Sequence, residues 1–226
     1  MQIPITKRLL TAAEMIGKEK VLCDIGCDHG YLPIYLIKKE QIEAAYACDL
    51  RDGTLKKAAQ NIAAFHMKEQ IKTVKSDGLH ELKDVSFDVI SICGMGGRLI
   101  AQILEQDLAV ASRAKHLVLQ PMSEIPFLRK FLAEHGFQIT EERLALEDRR
   151  YYVLMRIIRG IEPNTSDVDY VLGRKLLQQN DTLTNAYFAK ETKRFQNILT
   201  ARGGPEKSPE LLPVIEELKK YAKNIT

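Results

Sequence analysis

Short apolar runs alternate along this chain with segments whose apolar residues recur at helical spacing. Ile5, Leu9, Ala12, Ala13 and Ile16 fall on one face and predict a first helix that Gly17 stops. Five short apolar runs follow, "KVLCDIG", "EAAYACDL", "IKTVKSDG", "FDVISICG" and "HLVLQP", and several close on an Asp, Gly or Pro turn signal. Between them lie the helical patterns "YLPIYLIKK", "DGTLKKAAQNIAAFHM", "GGRLIAQILEQ" and "EIPFLRKFLAEHG". This alternation predicts an α/β protein with a doubly wound, Rossmann-like parallel sheet whose ligands sit at the carboxyl ends of the strands. Two more strands, "FQITEERLAL" and "RRYYVLMRIIR", come without a helix between them and should pair antiparallel at one edge.

At "GIEPNTSD" the pattern gives way to a polar, turn-forming stretch. It divides the chain into a sheet domain, residues 1–160, and a smaller all-helical domain, residues 161–226. In the second part Val168, Leu172, Leu176, Leu183, Tyr187, Phe195 and Ile198 trace a narrow stripe that predicts one long helix. "RGGPEKSPE" breaks it, and Leu212, Ile215 and Leu218 resume it on a shorter helix folded back as a hairpin.

Composition narrows the class. The 226 residues are 45% hydrophobic, enough for a packed core, and no apolar run is long enough to span a membrane. The N-terminal stretch has charge inside its apolar pattern and no small-residue cleavage site, so a cytoplasmic protein is expected. Cys23, Cys27, Cys48 and Cys93 lie in or beside strands without paired C-x-x-C spacing; buried thiols are expected, not disulfides or a metal site. A net charge of +3 does not by itself announce a nucleic-acid partner. Its distribution says more. Arg174, Lys175, Lys190, Lys193, Arg194 and Arg202 stand against only Asp181 and Glu191 on the predicted long helix, Arg149, Arg150, Arg156 and Arg159 crowd the last strand, and Lys7 and Arg8 lie on the first helix.

The chemistry concentrates on "VLCDIGCDHGYLPIYL", where a strand, a tight turn and a helix start follow one another. A dinucleotide turn reads G-x-G-x-x-G; here the pattern is D-x-G-x-D-x-G, with Asp24 and Asp28 among the glycines. Carboxylates suit a ligand with a cationic end, and S-adenosylmethionine carries an ammonium and a sulfonium. Asp49 closes the second strand, placed to accept from two ribose hydroxyls, a device nicotinamide enzymes share. Asp77, with Gly78 behind it, closes the third, placed to accept from an adenine amino group. Each alone reads equally well as a turn residue or helix cap; in order they form a row along one edge.

"DIGCDHGYLPIYL", with "KRLLTAA", "SDGL", "GMGG" and "LVLQPM", resembles the bacterial tRNA (adenine 22)-N1-methyltransferases, class I S-adenosylmethionine enzymes with a C-terminal helical coiled-coil domain. The resemblance covers the whole chain; Gly30 departs from it, standing where the family carries a small residue such as alanine. It implies that Asp24, Gly26, Asp28 and Gly30 surround the methionine part of the cofactor, with Cys27 beside them. Asp49 and Leu50 then face the ribose, and Asp77 with Gly78 the adenine. The implied partner is tRNA, contacted through Lys7, Arg8, Arg174, Lys175, Lys190, Lys193 and Arg194; separately, a monomer is expected.

Adenine N1 has an in-plane lone pair, and its donor is already activated, so positioning suffices and no catalytic base is required. Cys93, Gly94, Met95, Gly96 and Gly97 stand where amino-group methyltransferases carry Asn or Asp and Pro-Pro, and small residues there let a base approach closely. His29 and Tyr31 flank the first turn, placed to cap the cofactor, to stack on an extruded base or simply to pack. Two rival readings stay open: a pyrimidine C5-methyltransferase using Cys93 as nucleophile, and a catalytically silent RNA-binding module.

Overall fold

The computed structural model of the chain describes residues 2–163 and 165–222. The described residues form two compact units, the first ending at Pro163. The first is built on a seven-stranded sheet: β1 (Val21–Ile25), β2 (Ala44–Asp49), β3 (Ile71–Lys75), β4 (Val89–Met95), β5 (His116–Pro121), β6 (Phe137–Glu147) and β7 (Arg150–Arg159). Their order is β3-β2-β1-β4-β5-β7-β6, with β1 to β5 parallel and β7 antiparallel to both β5 and β6. The order reverses between β1 and β4, which is where a doubly wound sheet opens a crevice for ligands.

Six helices accompany the sheet: α1 (Lys7–Ile16), α2 (Tyr31–Lys38), α3 (Asp52–Ala64), α4 (Gly97–Gln106), α5 (Leu108–Ala111) and α6 (Ile125–Glu134). α1 begins after Thr6, whose side chain accepts from the Leu9 backbone N–H, so Ile5, counted in the predicted helix, lies just outside the observed one. The short α5 carries too few residues to show a period. β5 is buried along its whole length, while β3 buries only Ile71 fully and exposes Lys72 and Lys75, as suits an edge strand.

The second unit corrects the expected long helix. It is broken into α7 (Asp167–Leu172), α8 (Arg174–Leu177) and α9 (Thr182–Ala201), followed by α10 (Leu212–Ala222). Gly173, at φ 93°, ends α7, and Asp181 caps α9 by accepting from Leu183 N and Thr184 N. Each break resets the helical phase. α9 therefore buries Thr184, Phe188, Thr192 and Phe195, while Leu183, Tyr187 and Ile198 of the expected stripe are only half-buried. α10 packs on α9 and α7, with Val214, Ile215 and Leu218 buried.

Candidate active site

The carboxyl ends of β1 to β4 enclose a cleft of about 640 Å³, within the usual range for small-molecule sites. Its floor is the loop after β1. Gly26, Asp28 and Gly30 adopt positive φ there (70°, 49° and 71°), so the backbone turns sharply three times in five residues. The loop is pinned from two sides: Gly26 N and Cys27 N both donate to Cys48 O of β2, and Asn61 of α3 donates to His29 O at 2.9 Å. Gly30 itself lies outside the lining, as the residue from which α2 starts.

Asp24 lies on β1 beside Ser91 of β4 and is only 4% exposed. Ser91 Oγ donates to Asp24 Oδ1 at 2.6 Å, and among the described residues no cation pairs with this carboxylate. Burial raises the Asp24 pKa to about 6; the Ser91 bond opposes the rise and the charge of Asp49 adds to it. Asp49, also buried, ends β2 and accepts from Arg51 N at 2.9 Å. Asp77 is exposed beyond β3, in a turn held by Ser76 Oγ, which donates to Gly78 O at 2.9 Å. The three strand-end carboxylates thus line one cleft, together with Asp28, Gly26, Cys27, Leu50 and Gly78.

The other predicted group comes from two stretches of the chain. His29 and Tyr31 stack at 5.5 Å between ring centroids, and His29 Nε2 lies 3.8 Å from Asp28 Oδ1. Cys93, Gly94 and Met95 also line the cleft; Gly96 and Gly97 do not. Gly97 serves packing instead: a Cβ there would meet Glu124 O at 2.6 Å and Ser123 O at 2.8 Å, so only glycine fits. Burial and the Asp24 charge push the Cys93 thiol far above its ordinary range, and Arg8 offsets only part of this. The structure therefore holds Cys93 as a thiol, unlike an activated nucleophile.

Two residues that hold lining groups in place without lining the cleft themselves carry little sequence signal. Gln120, 1% exposed, accepts through Oε1 from Gly94 N (3.1 Å) and from Arg8 Nη1 (3.2 Å), fixing the carboxyl end of β4. Ser91 is the lone polar residue in the run "VISIC". Arg8, expected at the RNA surface, lines the cleft, whereas Lys7 is exposed on α1. In the second unit Lys190, Lys193 and Arg194 are exposed on one face of α9, with Arg194 paired to Glu191; Arg174 and Lys175 are half-buried on α8.

A doubly wound sheet of this order, with carboxylates at successive strand ends and no third glycine in the first turn, has the architecture of a class I methyltransferase. Residues 5–155 match the profile of the methyltransferase-domain family. The chain is 32% identical over 154 residues to the tRNA (adenine(22)-N(1))-methyltransferase of Bacillus subtilis (strain 168), a match covering 68% of this chain and 65% of that protein. A Streptococcus pneumoniae structure in complex with S-adenosyl-L-methionine is 32% identical and superposes with a TM-score of 0.86, covering 96% of this chain and 99% of that one. M. capricolum TrmK, in complex with S-adenosyl-homocysteine, is 28% identical with a TM-score of 0.82, covering 98% and 99%. The chain belongs to the tRNA (adenine(22)-N(1))-methyltransferase family.

Proposed function

We propose that this chain transfers the methyl group of S-adenosylmethionine to N1 of adenine 22 of tRNA, as a monomer in the cytoplasm. The observation that carries this reading is the convergence of Asp24, Asp49 and Asp77 on one cleft. The residues fit the cofactor: a buried carboxylate without a cation partner suits an ammonium, and the strand-end carboxylates suit ribose hydroxyls and an adenine amino group. Bound there, S-adenosylmethionine supplies a methyl group on a sulfonium, ready for in-line displacement and needing no metal. Asp24 holds the amino-acid end, Asp49 the ribose and Asp77 the base. His29 and Tyr31 offer a flat surface to the target adenine, while Gly94, fixed by Gln120, leaves room for its edge. Alignment of this kind contributes about 7–11 kcal/mol to such reactions.

N1 lies on the Watson–Crick edge, so the adenosine must be unpaired or extruded to react. The exposed Lys190, Lys193 and Arg194 face of α9 supports a phosphate contact by the second unit. Among the described residues no helix is long and apolar enough to cross a membrane.

The test is to incubate the full chain with unmodified tRNA and S-adenosylmethionine and to map the product by mass spectrometry. N1-methyladenosine at position 22, absent from a transcript carrying guanosine there, is expected. A methylated pyrimidine, or cofactor binding without transfer, overturns the reading in favour of one of its rivals.

A further inference from the structure

β6 and β7 are joined by a two-residue turn, Asp148 and Arg149, with Glu147 and Arg150 paired across it. Both turn residues hold positive φ, 48° and 62°. This is the arrangement that matches hairpin twist, and it favours Asn-Gly because a β-carbon is crowded at such φ. An arginine at the second position is therefore strained, and strain retained in a native fold points toward function.

The register shows where the turn lies. Leu119 of β5 stands opposite Met155 of β7. Continued along the strands, that register sets Pro121, the last residue of β5, opposite Val153. Arg150 to Tyr152 thus run past the carboxyl edge of the sheet, the edge on which the cleft opens. Two contacts tie this overhang to the cleft. Glu147 Oε2 accepts from Arg8 N at 3.3 Å, and the Arg8 guanidinium lies 5.6 Å from the Tyr152 ring centroid. Asp148, Arg149 and Arg150 are exposed, as is Lys7 next to Arg8.

We propose that the Asp148–Arg149 turn is an RNA-contacting finger of the catalytic unit, in which Arg149 and Arg150, with Lys7, hold phosphates beside the extruded adenosine. The proposal rests on tRNA being the substrate. Extruding a nucleotide bends its backbone next to the cleft, and cations there hold the distorted strand where the chemistry occurs. Arginine suits the task because its planar fork grips a phosphate through two parallel hydrogen bonds. Glycine in its place would relax the turn and lose the grip.

Two full-length variants test this, each compared with the wild-type chain for tRNA affinity at several salt concentrations, methylation of adenine 22, cofactor affinity and thermal midpoint. D148N/R149G, which installs the favoured turn, should melt about 2–4 °C higher. It should also bind tRNA less tightly, with the slope of log affinity against log salt flattened by about 0.7–0.9 for the lost phosphate contact. R149E/R150E should lose at least about tenfold in kcat/KM for tRNA while cofactor affinity stays at the wild-type value. Wild-type tRNA affinity and salt slope in both variants, in a chain that does methylate adenine 22, overturns the finger alone. A wild-type chain that leaves tRNA unmethylated overturns the substrate reading, and the finger with it.

Discussion

Ser91 and Asp24 meet across the β1–β4 ladder through a 2.6 Å hydrogen bond, at the point where the strand order of the sheet reverses. The bond satisfies one oxygen of a carboxylate that burial would otherwise leave costly to ionise. The cleft therefore keeps a negative charge ready for a cationic ligand.

The pH dependence of that carboxylate follows from its shift. Asp24 rises from 3.8 to about 6 on folding, so the folded chain holds this proton more tightly than the unfolded one. Its contribution to stability is complete below the unfolded value and is lost as pH climbs through about 6. Cofactor binding selects the ionised form and should show the opposite trend, weakening below about pH 6 by up to about tenfold per unit. Asp24→Asn should make the ligand-free chain more stable by about 1–3 kcal/mol and abolish tight cofactor binding. Melting curves and calorimetry across pH check both; a pH-independent affinity removes Asp24 from the cofactor site.

Asp49→Ala should weaken S-adenosylmethionine binding by about 1.5–3 kcal/mol, the usual worth of a hydrogen bond to a charged group. The same carboxylate orders the turn before α3 by accepting from Arg51 N, so a modest fall in thermal midpoint should accompany the loss. Calorimetry that finds affinity unchanged would exclude Asp49 as a ligand.

Cys93→Ser should retain appreciable transferase activity, because the thiol is held protonated and the proposed displacement does not use it. Loss of all activity in a folded variant, with a covalent adduct trapped between the wild-type chain and RNA, would restore the pyrimidine reading.

The two units should divide the work. A fragment ending at Pro163 should bind the cofactor with wild-type affinity and methylate full-length tRNA poorly, and charge reversal at Lys190, Lys193 and Arg194 should mimic it. Thermal melts establish first that the fragment folds. A folded fragment with full tRNA affinity and an unaltered salt slope would make the helical unit a protein-contact element instead.

All seven strands are visible in the sequence because each is a short apolar run ended by a turn residue, and the absence of a helix between Phe137 and Arg159 exposes the antiparallel pair. The carboxylate row is visible for the same reason: a residue at a strand end is placed by the strand. Residues placed by tertiary packing are not visible. Gln120 matters because Arg8, 112 positions away, reaches it, and no local pattern records that encounter. The long helix misled because Gly173 and Asp181 interrupt a stripe whose residues keep nearly helical spacing across both breaks. Gly96 and Gly97 show the converse limit, since "GMGG" reads as an opening for substrate although Gly97 is needed for contact with the Ser123–Glu124 backbone.

The position of β7 between β5 and β6 bears on how this chain is made. β1 to β4 are complete and can pair once residue 95 has emerged from the ribosome, but the inner edge of β5 waits for a partner encoded some thirty residues after its own end. That edge belongs to a strand buried throughout in the finished protein. During synthesis it is an apolar strand with unpaired backbone groups, the kind of surface that recruits a neighbouring nascent chain. β6 emerges first yet has no place on the sheet until β7 exists, so it can join only with β7 or after it. Until β7 is made, the ligand-holding strands can pair while the far edge of β5 stays open.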